Sequence, residues 1–312
     1  MDILIQIVLL AAGFAMLMKG ADWFVEGASS VADRLGIPLI VIGLTIAAMG
    51  TSLPEAAVSI SAATKGSAGI TIGNVVGSNI MNVLVILGLT GVIRKVAVQK
   101  NTIRYEIPFT VVITALLAVM GLSDQMIGPL EGVILWGCML LYLAYLYWLT
   151  KHGVPLEEMP EVDRKDPVWK MIVMIVVGIV MIVWGSDISV DAATSLAQMF
   201  GMSERLIGLT IVAFGTSLPE LVTSVTAAIK GKADIAVGNI VGSNIFNILF
   251  VVGTTALITP VVYSRDFMID SVVAVATMLL LWLCVIRKKE LGRLGGGVML
   301  ATYAGYFIHL LQ

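Results

Sequence analysis

Ten stretches of this chain are nearly unbroken apolar runs, near 3–27, 37–64, 70–93, 105–122, 127–149, 168–196, 204–229, 235–259, 266–286 and 294–311. Each approaches the roughly 20 residues with which an α-helix crosses the hydrocarbon core of a bilayer. The runs are continuous rather than alternating, which implies spanning helices and not barrel strands. The expectation is an all-α polytopic membrane protein whose constant partner is the lipid bilayer. The opening Met-Asp-Ile-Leu has no basic start, so the first run reads as a retained helix rather than a signal peptide.

If the ten runs alternate across the bilayer, 15 Lys and Arg fall on one side and 3 on the other, with Lys19, inside the first run, left out of the count. Basic residues accumulate in cytoplasmic loops. The loops after the odd-numbered runs are therefore expected in the cytoplasm, both termini outside it, and the protein in the inner (plasma) membrane of the cell. Nothing in a net charge of −2 without a basic patch suggests nucleic acid. No obligatory protein partner is evident either. Cys138 and Cys284 lie inside apolar runs without metal spacing and read as packing residues. No histidine lies at mid-membrane depth, and no prosthetic group is expected.

The chain is a duplication. Shifted by 165 residues, it aligns with itself without a gap from about Ala12 to Gly88, and 29 of the 47 positions from Ile42 to Gly88 are identical in the second copy. "GLTIAAMGTSLPE" meets "GLTIVAFGTSLPE", and "GNVVGSNIMN" meets "GNIVGSNIFN". The division is residues 1–150, a polar linker at 151–167, and residues 168–312, with the strongest repetition at 37–93 and 204–259. Five runs per copy is an odd number, so the second copy enters the membrane from the opposite side. The expected architecture is ten transmembrane helices as two inverted five-helix repeats, with interrupted helices at the midplane. Many secondary transporters are built this way.

Glu55 and Glu220 sit near the middle of their runs. A carboxylate at that depth costs at least about 2.5–3.5 kcal/mol on insertion scales and needs a partner. No Lys or Arg lies at comparable depth in the matching runs, which leaves protons and metal cations. Pro54 removes a helical N–H and crowds the preceding turn, and Gly50 loosens it. The helix is expected to open around Ala48 to Ser52 and free backbone carbonyls. Thr51 and Ser52 add oxygens, and the next run brings Ser78 and Asn82, or Ser243 and Asn247 in the second copy. Carboxylate, carbonyl, amide and hydroxyl oxygens suit a hard cation such as calcium. Gly73 and Gly77, with Gly238 and Gly242, make a small-residue face for close helix packing. Asn79 and Asn244 point along another face and read as structural. Asp22, Glu26, Asp187 and Asp191 lie toward helix ends. The acidic residues Glu157, Glu158, Glu161 and Asp163 read as a solvated linker.

These paired blocks resemble the two alpha-repeats of the calcium/cation antiporter superfamily, most closely its prokaryotic sodium/calcium exchanger branch. The resemblance covers all ten runs. It implies a bundle in which the first and sixth spans slide over a core of the other eight, and four clustered cation sites. It implies calcium at Glu55 and Glu220 with the carbonyls of Thr51 and Thr216. Sodium sites would add Ser52, Ser217, Ser78, Ser243 and the carbonyls of Ala48 and Ala213, with Asn82 and Asn247 flanking the centre. Some members, including the potassium-dependent branch, carry Asp in place of Asn247, whereas this chain has Asn at both places.

The expected function is a secondary active antiporter that exchanges sodium for calcium and exports calcium by alternating access, with electrogenic exchange. A proton/calcium antiporter of the same fold is the alternative, and a cation channel fits an inverted repeat less well. An enzyme is not expected. An intramembrane hydrolase needs a nucleophile–base pair or a metal motif such as HExxH, and neither is found at that depth.

Overall fold

The computed structural model describes residues 3–64, 70–152, 167–201, 213–263 and 266–310. The apolar runs become helices because a segment in lipid must satisfy its own backbone hydrogen bonds. In chain order they are α1 (Ile3–Leu35), α2 (Leu39–Thr51), α3 (Leu53–Thr64), α4 (Thr71–Ile93), α5 (Thr102–Asp124) and α6 (Pro129–His152). Then follow α7 (Val168–Met199), α8 (Leu218–Ile229), α9 (Ala233–Ile258), α10 (Phe267–Ile286) and α11 (Arg293–Leu310).

Seven of these helices are long and apolar enough to cross a membrane, and α2 with α3 makes an eighth candidate bent by 45°. The other two expected runs do not reach that standard among the described residues. The run at 204–229 contributes the 12-residue α8 and one turn at Ala213–Gly215, and its first part, 204–212, lies outside the described residues. The last run forms α11, whose 18 residues include three consecutive glycines and an arginine. Most of the polar linker, 153–166, also lies outside the described residues.

Two close crossings organise the bundle. In the first, α1 runs against α7 with glycine facing glycine. A Cβ on Gly13 would lie 2.8 Å from the carbonyl oxygen of Gly185, and one on Gly20 would lie 2.8 Å from that of Gly178. Gly13 and Gly178 are repeat counterparts, as are Gly20 and Gly185, so the contact maps onto itself under the duplication. In the second, the small-residue face of α9 lies on α2. A Cβ on Gly238 would come within 2.9 Å of Gly43 Cα, and one on Gly242 within 2.8 Å of Leu44 O. This crossing sets the second repeat's amide-bearing helix beside the first repeat's broken one. Burial separates the two crossings. In α9, 94% of the core stretch is buried, against 22% in α1 and 33% in α7.

Two features depart from a plain helical reading. Four two-residue strands pair between inter-helix connections. Val96–Ala97 pairs antiparallel with Glu290–Leu291, and Met126–Ile127 with Val261–Val262. The two ladders are repeat counterparts to within one residue: Val96–Ala97 shifts by 165 onto Val261–Val262, and Met126–Ile127 falls one residue beyond Glu290–Leu291. The helices are also widened by π turns at Gly43–Ala47, Asn82–Leu87, Thr102–Glu106 and Asn247–Val252. Single π turns inside α-helices recur at functional sites, and two of these begin at the asparagines Asn82 and Asn247.

Candidate cation site

The break between α2 and α3 falls at Ser52, just before Pro54, whose missing N–H and ring cannot continue the helix. Beyond it a new helix starts inside the protein, with Glu55 in its first turn. In the second copy Thr216 and Ser217 form the turn and α8 starts with Glu220 in its first turn. The partial positive charge at a helix N-terminus favours a carboxylate there. The expected opening at Ala48–Ser52 is narrower than the sequence implies. Ala48 to Thr51 remain helical and the Ala48 carbonyl still accepts from Ser52 N at 3.0 Å. Its second lone pair faces Ser243 Oγ at 3.5 Å.

Both glutamates are 1% exposed. Their hydroxyl neighbours come from both copies. Ser52 Oγ donates to Glu220 Oε1 at 2.8 Å, and Ser243 Oγ lies 3.4 Å from the same oxygen. Ser78 Oγ lies 3.5 Å from Glu55 Oε1, and the Thr216 side chain also faces Glu55. Thr51 Oγ1 lies 3.0 Å from Ala47 O and 3.1 Å from Asn239 Oδ1, so its one proton serves one of them. The structure therefore brings Glu55, Glu220, Ser52, Ser78, Ser243 and Thr216 into one neighbourhood. Ala213 opens the turn Ala213–Gly215.

The unpartnered atoms show what this neighbourhood is suited to hold. Glu55 Oε2, Glu220 Oε2, Asn82 Oδ1 and Asn247 Oδ1 are buried without a hydrogen-bond partner among the described residues, as is Ser217 Oγ. The first four are acceptors only. A buried acceptor left alone costs about 1–3 kcal/mol, more when charged. A cation satisfies several at once. Among the described residues no three His, Cys, Asp or Glu side chains cluster. The donor set is thus two carboxylates completed by neutral oxygens, as a hard oxygen-seeking cation requires.

Four amides bond to one another across the two copies. Asn79 Nδ2 donates to Asn244 O and Asn244 Nδ2 to Asn79 O, both at 3.2 Å. Asn82 Nδ2 donates to Asn244 Oδ1 at 3.0 Å and Asn247 Nδ2 to Asn79 Oδ1 at 3.1 Å.

Other contributors do not stand out in the sequence. Asn74 Nδ2 donates to Ser59 Oγ at 2.9 Å and to Glu55 O at 3.1 Å. Asn239 Nδ2 repeats this with Ser224 Oγ at 3.0 Å and Glu220 O at 3.4 Å. These bonds pin each carboxylate-bearing helix to the helix that follows it. A signal exists, since all four residues recur at the same place in both copies. Glu106 is a further residue that sequence reasoning missed. It is a buried carboxylate bound by the Tyr145 hydroxyl, beside a cavity of about 310 Å³ lined by Tyr105, Phe109 and Tyr142 among others. Asp22 pairs with Lys230 at 3.0 Å and ties α1 to the end of α8. The acidic linker residues lie outside the described residues.

Comparison with known proteins agrees over nearly the whole chain. The family described as sodium/calcium exchanger protein matches residues 5–151 and 170–312. CaxA of Alkalimonas amylolytica, a putative antiporter by its name, is 40% identical over 97% of this chain and 98% of its own length. The sodium/calcium exchanger MaX1 of Methanosarcina acetivorans is 31% identical over 99% of both chains. Among solved structures, the sodium-calcium exchanger NCX_Mj superposes with a TM-score of 0.84 at 32% identity, over 97% of this chain and 98% of that one. With its helical spans and its internal repeat, the chain is a multi-pass membrane protein that belongs to the sodium/calcium exchanger family.

Proposed function

We propose that this protein is a secondary active antiporter that moves calcium out of the cell in exchange for sodium. One observation carries the proposal. Two buried carboxylates and two buried amide oxygens, drawn from both copies of the repeat, have acceptor atoms unpartnered among the described residues, and the helix of each glutamate packs on the π turn that opens with the other copy's asparagine. Calcium matches the two formal charges and the oxygen chemistry. Hydroxyls and carbonyls beside them (Thr51, Ser52, Ser78, Ala48 and their counterparts) suit sodium, which a proton-only site would not need. The names and descriptions of MaX1 and NCX_Mj support the same ions, since both are called sodium/calcium exchangers.

The proposed architecture is ten spans in two inverted repeats, with both termini outside the cytoplasm and the protein in the cell's inner membrane. The 165-residue periodicity, the α1–α7 crossing and the paired ladders support it. Alternating access is supported by asymmetry within the symmetry. Ser52 donates to Glu220, whereas its counterpart Ser217 has no partner for its hydroxyl among the described residues. Two chemically equivalent halves in unequal arrangements are what a two-state exchanger presents when caught in one state. The peripheral, glycine-lined α1 and α7 are the natural moving pair.

The test is calcium-45 uptake by proteoliposomes loaded with sodium, with choline, or under a pH gradient without sodium. Uptake only into sodium-loaded vesicles is expected. Equal uptake driven by the pH gradient alone would assign proton/calcium exchange instead.

A further inference from the structure

Asparagine is a two-faced ligand. Its amide presents an acceptor on one side and a donor on the other, and a half-turn about the last side-chain bond exchanges them. An Asn that faces a cation with its NH2 repels the cation. Something must therefore hold Asn82 and Asn247 with their oxygens inward, and the hydrogen bonds of the site show what does.

The constraint begins at two backbone carbonyls, Asn79 O and Asn244 O, which can only accept. Asn244 Nδ2 faces Asn79 O at 3.2 Å, and the reverse contact is also 3.2 Å. Turning either side chain over would set oxygen against oxygen. With Nδ2 committed to the carbonyl, Asn244 must point Oδ1 the other way, where Asn82 Nδ2 meets it at 3.0 Å. Asn82 is then left with Oδ1 free. The same sequence runs from Asn244 O through Asn79 to Asn247, whose Nδ2 lies 3.1 Å from Asn79 Oδ1. All four residues are at most 5% exposed, so no solvent competes for these bonds. The two relays end at the two amide oxygens that have no partner among the described residues, while no side-chain atom of Asn79 or Asn244 is left unpartnered.

We propose that Asn79 and Asn244 are positioning residues for cation binding. Each fixes the amide of a residue from the other copy, Asn247 and Asn82 respectively, so that the site is lined by acceptors alone. Neither touches the cation. The role rests on the cation-site assignment above and adds to it a division of labour among the four asparagines. It also gives the duplication a use at the level of single bonds, since each repeat orients a ligand of the other.

The test exploits a side chain that cannot be misoriented. A carboxylate is an acceptor on both sides, so an Asp in place of Asn247 offers the cation an oxygen in either orientation and has no donor to give to Asn79 Oδ1, which it meets as acceptor against acceptor. Calcium binding to purified protein in sodium-free detergent solution is measured by calorimetry for wild type, Asn79→Leu, Asn247→Asp and the double variant. Asn79→Leu should weaken binding by about tenfold or more, the usual effect of losing an orienting partner of a metal ligand. In the Asn247→Asp background the same change should not weaken binding and can only restore affinity, because it removes the acceptor that opposes the new carboxylate. The cycle Asn244→Leu with Asn82→Asp should behave alike. An equal loss in both backgrounds, or loss of folded, monodisperse protein in both, would mean a purely structural role and overturn the proposal. If Asn79→Leu unfolds the protein on its own but not in the Asn247→Asp background, the proposal is supported, because only the orientable amide then needs its guide. Glu55→Gln separates the two claims. If it loses binding while Asn79→Leu keeps wild-type affinity, the cation site stands and the positioning role fails. If it binds as wild type, the cation-site assignment itself fails.

Discussion

At the scale of single residues, depth and identity are readable in the sequence and orientation is not. Glu55 and Glu220 stand out because a carboxylate in the middle of an apolar run has few physical explanations. Asn74 and Asn239 do not, because a repeated spacing within one chain does not say which atom an amide will meet. Their bonds to Ser59 and Ser224, and to the backbone of each glutamate, appear only when α3 lies against α4 and α8 against α9. Asn239 is fully buried and Asn74 is half-buried. Removing a buried donor that serves two acceptors destabilises by about 1–3 kcal/mol. Asn239→Leu should therefore lower the melting temperature in detergent more than Asn74→Leu, and both should slow calcium transport. Equal melting temperatures to wild type would show that these amides do not hold the helices together. Glu106 escapes notice for a different reason. It lies at the edge of its apolar run, where a charge ordinarily marks the interface, yet it is 1% exposed.

At the scale of elements, the long helices follow from the length of the apolar runs, and the break at Ser52 follows from Pro54. The π turns carry no signal, because helices that are apolar on nearly every side do not show the change of phase that one extra residue in a turn introduces. The two-residue strands are equally silent, being too short for any alternation. The glycines of α1 and α7 are visible as residues, but their pairing across the repeat is not. That pairing makes a sharp prediction. A side chain at Gly20 would start 2.8 Å from the Gly178 carbonyl, a backbone atom that cannot swing away. Gly20→Val should force α1 from α7, lower stability by about 1–3 kcal/mol, as overpacking does, and reduce transport strongly. Gly137, in α6, meets nothing within 4 Å among the described residues. Gly137→Ala should be neutral or stabilise by up to about 1 kcal/mol, the difference in helix propensity. Thermal unfolding and sodium-driven uptake of both variants check the contrast, and equal behaviour of the two would show that the crossing is not tight.

At the scale of the whole molecule, the duplication is the most informative feature of the sequence, because it ties two distant carboxylates to one midplane. What it leaves open is whether they form one site or two. The hydroxyls answer in part, since Ser52 of the first copy serves Glu220 of the second. A shared site has consequences for charge. Two carboxylates are neutralised by one calcium, and if three sodium ions take its place one positive charge is left over. Three-for-one exchange then moves net charge, worth about 2.3 kcal/mol per 100 mV. Calcium flux at several potentials set by potassium and valinomycin should vary with voltage, and a flux indifferent to voltage would point to two sodium ions per calcium. The central claim, one cation site built by both repeats, is tested most directly by equilibrium calcium binding to the purified protein, to Glu55→Gln and to Glu220→Gln, each titrated with sodium. A shared site predicts that either single substitution abolishes calcium binding, and that sodium displaces calcium from the wild type cooperatively. Two half-occupied variants, each retaining one calcium site of normal affinity, would contradict it.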